Sequence, residues 1–393
     1  MSVKVRRTLT IILTVALLLY IVITETVPTY VDKKFNTVAA SPPYNVGQEA
    51  KDLYSSLTFI SDLHCDALLW KRNLVKRHDY GHVDFPRMQE ANMALQAFTI
   101  VSKTPKNMNF DHNSGDTDNI TTLFIAEGRP MKSWFSLKER AIIQCDQLYS
   151  YAESSDNEFR VITSSKELSR FIDDRRVNSS LIAGFIGIEG MQVLEGNLSN
   201  VDAMYDAGVR MMAPVHFFDN RLGGSAHGIK KGGLTDFGRS VIKEMERKHM
   251  IVDLAHASPK LIDDVLAIAT RPIIVSHTGV KGTCDNIRNL SDTHLERIAS
   301  NGGLIGIAAF EQADCGTTAA ATARAIKYTA DLIGVDHVAL GSDFDGAIQT
   351  HYDVTGYPLL VEELLKLGVS LEEIRLIMGD NVKDFLLRNL PSS

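Results

Sequence analysis

Four cysteines in 393 residues are few, which leaves the fold to an apolar core rather than to a disulfide framework. The chain also lacks any dense block of Lys or Arg. Its basic residues are scattered among acids at a net charge of −7, so nothing in it speaks for nucleic acid as a partner. No G-x-G-x-x-G follows the first strand-like run, and phosphate cradling therefore has no support. Internal repeats and low-complexity tracts are missing too. Apolar residues make up 45% of the chain, enough to bury a large core in one α/β domain or in two smaller ones.

The longest apolar run is Leu9 to Ile23, preceded by Lys4, Arg6 and Arg7 and closed by Glu25. At about 1.5 Å per residue it barely crosses a bilayer core of about 30 Å, so it reads as a signal peptide or a short signal anchor. No small-x-small cleavage site follows directly, since Ala39-Ala40-Ser41 lies far downstream. The expectation is a retained single-pass anchor, positive residues inside, with the main domain outside the cytosol, or a secreted or periplasmic protein if the helix is cleaved. A buried N-terminal helix is the competing reading, opposed by the lack of a polar face. Residues 1–25 are thus read as anchor or signal, 26–50, with Pro28, Pro42 and Pro43, as a linker, and 51–393 as the main domain. Asn119, Asn178, Asn197 and Asn289 open N-x-Ser/Thr sequons, relevant only in a host that glycosylates secreted proteins.

Beyond the linker, short β-branched apolar runs alternate with helical patterns. The expected strands are Phe59 to Leu63, Ala94 to Val101, Leu181 to Ile188, Val209 to Val215, Ile251 to Leu254, Ile273 to Ser276, Leu304 to Ala309 and Val338 to Gly341. Continuously apolar strands are those buried on both faces of parallel sheets, and eight of them with helices between predict an α/β (β/α)₈ barrel of the TIM type. A doubly wound open sheet is the alternative. Expected helices include Leu137 to Ser154, Asp236 to His249 capped by Thr235, Thr322 to Ile333 and Ser370 to Met378. The stretches Ser102 to Trp134 and Asp219 to Gly233 read as loops at the barrel mouth.

The chemistry lies at the strand ends. His64 and Asp66, two apart after the first strand, can face the same way; Glu189-Gly190, Ala255-His256 and His277 end later strands, and His216 and Asp343-Phe344-Asp345-Gly346 follow two more. One such coincidence is common and six are not. A barrel gathers these ends at one mouth, so His64, Asp66, Glu189, His256 and His277 are expected together. Three imidazoles and two carboxylates suit zinc or a similar borderline metal, and their number suits two ions sharing a carboxylate, with Glu189 the natural bridge. A hydroxide held between two such ions can attack a polarised carbonyl near neutral pH, which points to hydrolysis.

These motifs resemble those of the membrane dipeptidase family, the renal-dipeptidase-like zinc peptidases of family M19. The resemblance runs from about Phe59 to the C-terminus and rests on Asp62-Leu63-His64-Cys65-Asp66, Gly187-Ile188-Glu189-Gly190, Gly208-Val209-Arg210 with His216, Gly233-Leu234-Thr235-Asp236-Phe237-Gly238, Val252-Asp253-Leu254-Ala255-His256, Ser276-His277, Arg288-Asn289 and Gly341-Ser342-Asp343-Phe344-Asp345-Gly346. It implies a metallo-dipeptidase with two zinc ions, His64, Asp66 and Glu189 on one and Glu189, His256 and His277 on the other. It also implies His216 as substrate-binding donor to the oxyanion, Arg288 for the substrate's C-terminal carboxylate and Asp343 as acid/base, with Asp345 the competing carboxylate. Dipeptide substrates, a possible homodimer and pairing of Cys284 with Cys315, which also follow two neighbouring strands, are further implications.

The chain departs from the family's pattern in Glu90-Ala91-Asn92-Met93, where Gly-Gly is frequent, and in Met191, where a small residue is usual. No glycolipid-anchor signal of the mammalian kind precedes Pro391-Ser392-Ser393, so membrane attachment falls to the N-terminal helix. His82, in a second His-x-Asp, and His112, His227 and His351 end no strand and are read as surface histidines. Two other readings stand beside a zinc dipeptidase. One is an amidohydrolase-type barrel acting on lactones, ureas or cyclic amides, and the other a catalytically silent membrane-tethered binding protein.

Overall fold

The computed structural model describes residues 3–393. Eight strands form the barrel: β1 (Ile60–Cys65), β2 (Met93–Val101), β3 (Ile182–Glu189), β4 (Val209–Ala213), β5 (Ile251–Val252), β6 (Ile274–Thr278), β7 (Leu304–Ile307) and β8 (Val338–Leu340). All pair in parallel, in the order β5-β4-β3-β2-β1-β8-β7-β6. The circle closes where Asp253, just past β5, bridges Ile274 of β6, with Leu254 N–H donating to the Ile274 carbonyl at 2.8 Å. This is the predicted (β/α)₈ barrel, and each expected strand lies within a few residues of the observed one.

The strands are mostly apolar because both faces are buried, and their polar residues gather towards the mouth in β1 and β6. Leu95, Ala97, Ala183, Phe185, Met211, Ile274, Leu304 and Ala339 pack together inside the barrel with Phe385 and Leu386 of the last helix, Asn389 being its end. Phe98, Ile100, Ile186 and Ile188 face outward onto the helix layer with Leu148, Val241 and Ile326. At roughly 25 cal/mol per Å² of apolar area, this double burial is the main force closing the sheet.

Thr235 caps the helix Asp236–Arg247 as expected, its hydroxyl accepting from Gly238 N–H at 2.9 Å. A short strand, Phe159–Val161, was not foreseen; it borders β3 alone and carries the polar Arg160. The Ser102 to Trp134 stretch holds two short helices, Ile120–Ala126 and Lys132–Phe135. Asn92 explains one departure from the family's pattern: it takes φ 47°, the left-handed region where glycine is usual and Asn tolerated.

The N-terminal region differs from the linker reading. Helix α1 runs from Val3 to Phe35, through Pro28 and well past Glu25. Its apolar side chains from Leu9 to Ile23 are exposed on every face (Ile11 63%, Leu17 57%), which rules out a buried core helix. Val31 packs on a cluster that includes Trp70 and Phe124, and Thr37–Val38 pairs in parallel with Gln349–Thr350. The stretch expected to be a loose tether is therefore built into the domain up to about Ala40, whose N–H donates to the His351 carbonyl at 3.0 Å. Composition misled here because proline usually ends or kinks a helix, whereas α1 runs on through a buried Pro28, and packing partners are invisible in sequence.

Candidate active site

Glu189, the last residue of β3, stands at the centre of the mouth. Gly190 follows it at φ 88°, and a side chain there would meet the Gln192 amide at 2.3 Å, so glycine lets the chain turn away and leaves the carboxylate in place. One carboxylate oxygen, Oε1, lies 2.8 Å from His256 Nε2, 3.3 Å from His277 Nε2 and 3.8 Å from His64 Nε2. The other, Oε2, is 3.1 Å from His216 Nε2. Asp66 Oδ1 and Asp343 Oδ1 lie 3.5 and 3.8 Å from His64 Nε2. All the residues expected as metal ligands, together with His216 and Asp343, are thus brought to one place.

A network below them sets their orientation. His64 and His277 each place Nδ1 within 3.1 Å of the single Ser276 hydroxyl. With Ser276 holding both Nδ1 atoms, the two Nε2 atoms are turned towards Glu189. Thr99 donates to Asp66 Oδ1 at 2.6 Å. Asp62 accepts from His64 N–H, Ser342 N–H and the Tyr357 hydroxyl, and Asp253 accepts from Ala255 N–H and Ser276 N–H. Sequence reasoning missed these supports. Their one signal was spacing: Asp62 lies two residues before His64.

The electrostatics favour a cation among these groups. Burial pushes the Glu189 carboxyl well above its ordinary range, and the Asp66 carboxylate adds to it. Burial likewise raises Asp343 to about 7 against the pull of His64. Burial acts against a proton on His64, yet the charges of Asp66 and Glu189 prevail and raise it to about 10: the field of these carboxylates holds positive charge. Burial and then neighbouring positive groups drive His216, His256 and His277 well below the usual histidine range, leaving neutral imidazoles of the kind that ligate metals. His64 Nε2 and Glu189 Oε1 are buried with no hydrogen-bond partner among the described residues. Orphaned buried atoms of this kind are rare in folded proteins. Together with the nitrogen and oxygen donor set they fit a zinc-type centre.

Strain accompanies the site. His256 and Asp343 adopt left-handed backbone at φ 60° and 63°, each costing on the order of 1–3 kcal/mol. Asp345 points elsewhere: its carboxylate is fully buried 2.5 Å from Arg72 Nη2, so of the two carboxylates in that loop only Asp343 faces the imidazoles. Arg288 is buried, donating from Nη2 to the His277 carbonyl at 2.7 Å and from Nη1 to the Thr278 hydroxyl at 3.3 Å. Among the described residues no carboxylate stands within ion-pair distance of it. The disulfide Cys284–Cys315 ties its loop to the segment after β7.

Three histidines expected at the surface are buried instead. His82 donates from Nε2 to the Thr37 carbonyl at 2.8 Å, His351 Nε2 lies 2.8 Å from Asp314, and His227 Nδ1 donates to the Phe110 carbonyl at 2.6 Å. Loop histidines look alike in sequence, and their burial comes from loop-on-loop packing. His112 is exposed as expected, while the sequon residue Asn289 is buried.

The model of the family described as membrane dipeptidase (peptidase family M19) matches residues 48–386. The chain belongs to the membrane dipeptidase family. Among curated relatives, the dipeptidase aclJ of Aspergillus oryzae is 29% identical over 346 residues, 82% of this chain and 76% of that one. The dipeptidase verJ of Clonostachys rogersoniana is 36% identical over 211 residues, 52% of this chain and 54% of its own. Two solved structures share the fold. A metallopeptidase from Rhodobacter sphaeroides, liganded with a phosphinate mimic of L-Ala-D-Ala, gives a TM-score of 0.68 at 24% identity, over 84% of this chain and 99% of that one. The probable dipeptidase PvdM of Pseudomonas aeruginosa gives 0.72 at 18%, over 88% and 98%. As a membrane dipeptidase family member the chain is a metallo-dipeptidase, and the gathering of histidines and carboxylates around Glu189 is its candidate metal centre.

Proposed function

We propose that this metallo-dipeptidase carries two zinc ions and hydrolyses dipeptides that end in a free carboxylate. The observation that carries the reading is the pairing of two unmet demands in one mouth: an orphaned Glu189 oxygen ringed by imidazole nitrogens, and a buried Arg288 guanidinium without a carboxylate. His64, Asp66 and Glu189 would hold one ion, and Glu189, His256 and His277 the other. When bound, the ions supply Lewis-acid polarisation of the scissile carbonyl and a water acidic enough to attack near neutral pH.

The chain's own groups do the rest. Arg288 receives the dipeptide's C-terminal carboxylate, a task that a planar guanidinium fork performs better than an ammonium. His216, whose Nε2–H now faces Glu189 Oε2, donates to the oxyanion that develops on the scissile carbonyl. Asp343, whose carboxylate stands 3.8 Å from His64 Nε2, takes the proton of the attacking water and passes it to the amide nitrogen. The C–N bond then breaks and a free amine leaves. The exposed apolar helix from Leu9 to Ile23 serves as a retained anchor that places the barrel outside the cytosol. A homodimer is part of the same reading by kinship.

The test uses the full chain in detergent with L,L- and L,D-dipeptides and their C-terminal amides, before and after chelation and return of zinc. Zinc-dependent cleavage of the acids alone is the expected result. Cleavage of lactones or cyclic amides instead would favour the amidohydrolase reading. No turnover of any substrate by zinc-replete protein would favour a binding role.

A further inference from the structure

We infer that the segment just after the apolar span, residues 32–40, positions the active-site loop that carries Asp343. This segment lies outside the region matched by the family model, which begins at residue 48. The inference rests on the role given to Asp343 above.

The loop after β8 needs holding. Asp343, Asp345 and Ala347 all adopt left-handed backbone, at φ 63°, 61° and 59°, and none is glycine, so each costs on the order of 1–3 kcal/mol unless its surroundings impose it. The N-terminal segment supplies part of those surroundings, directly and through Arg72 and His82. Asn36 accepts from Ala347 N–H at 2.9 Å and donates to Asp32 Oδ1 at 2.8 Å. Asp32, buried near the end of α1, stands 3.7 Å from Arg72 Nη1, and Arg72 Nη2 grips Asp345 at 2.5 Å. The Thr37 carbonyl accepts from His82 Nε2–H, which leaves His82 Nδ1 to accept from Asp345 N–H at 2.8 Å. His82 N–H donates to Asp345 Oδ1, and Trp70 Nε1–H donates to the Asp345 carbonyl. Two of the three strained residues are thus anchored directly or through one intermediary to residues 32, 36 and 37. The third, Asp343, is fixed between them and β8. Phe344, inside the same loop, offers its carbonyl to Asp66 N–H at 2.8 Å, so loop and proposed metal ligand share one frame.

Asp32, Asn36 and Thr37 touch no reacting atom and act as positioning residues. The segment that follows the membrane span is then part of the catalytic architecture and not a spacer.

The test compares Asn36→Ala and Asp32→Asn with Asp79→Ala in the full chain. The last removes only the exposed ion pair between the loop residue Asp79 and Lys33 of the same helix as Asp32. In Asn36→Ala, kcat for a dipeptide falls about tenfold, the scale of one lost buried hydrogen bond, while KM and metal content stay within about twofold of wild type. Amide hydrogen exchange in residues 343–347 accelerates by a similar factor. Asp32→Asn, which keeps the side-chain shape and removes the charge beside Arg72, shows the same pattern more weakly and decides the matter should Asn36→Ala not fold. Asp79→Ala changes nothing. Wild-type exchange in the loop, or faster exchange with unaltered kcat, overturns the inference. If the wild-type chain cleaves no dipeptide, the functional reading fails, and exchange alone still decides whether residues 32–40 hold the loop.

Discussion

Replacing Arg288 by Met should erase the enzyme's preference for free acids over amides without weakening the fold. The guanidinium spends two N–H groups on the His277 carbonyl and the Thr278 hydroxyl, and the remaining donors have no acid partner among the described residues. Burial lowers its pKa from the ordinary arginine value, partly offset by the field of Asp343 and Glu189, as befits a cation kept out of water at some cost. Pairing such a buried cation with a substrate carboxylate is worth roughly 2–5 kcal/mol, or about 30- to 4000-fold in kcat/KM. The assay is a four-way comparison of wild type and Arg288→Met, each with a dipeptide and its C-terminal amide. The acid-to-amide ratio should collapse by that factor in the variant, through loss of activity on the acid. The melting temperature should hold or rise, because an unpaired buried charge has been replaced by an apolar chain of similar length. Arg288→Lys should fall between, keeping the charge and losing the fork. An unchanged ratio in folded Arg288→Met would refute the assignment.

Other consequences are equally direct. His216→Ala should lower kcat by about 10²- to 10³-fold with little change in metal content, the usual effect of deleting an oxyanion donor, as read by steady-state kinetics and elemental analysis. Replacing Cys284 and Cys315 together by Ser opens a loop of sequence separation 31; stability should drop by about 4 kcal/mol in denaturant titrations, and KM for free acids should rise as the Arg288 loop loosens. Burial lifts the Glu127 carboxyl from 4.5 to about 7 despite its ion pair with Arg129. The folded chain therefore holds a proton that the unfolded chain has lost between those values, and stability falls as pH rises from about 4.5 through about 7. Glu127→Gln should flatten that fall, seen as a smaller difference in melting temperature between pH 5 and pH 8.

The barrel was readable because most of its strands are apolar on both faces, so a run such as Leu181 to Ile188 advertises its burial residue by residue. The candidate ligands were readable because strand ends converge in this fold, which turns scattered residues such as His64 and His277 into neighbours. What escaped depends on contacts that no local pattern encodes. His82 and His227 lie in polar loops and are buried by other loops. Asp32 and Asn36 sit in a stretch whose composition suggests a spacer, and their partners Arg72 and Ala347 lie 40 and 311 positions away. Ser276, beside His277 in its strand-end motif, is marked as a support only by its reach to both His64 and His277. Asp343, the nearer of the two loop carboxylates to the strand, faces the imidazoles, and Asp345 is consumed by Arg72.

The most direct test of the central claim is anomalous diffraction at the zinc edge from crystals of full-length protein that cleaves dipeptides. Two zinc peaks, both bonded to the Glu189 carboxylate, with His64 and Asp66 completing one set and His256 and His277 the other, are predicted. A single peak, or peaks that leave Glu189 unbound, would contradict the bridged two-metal account.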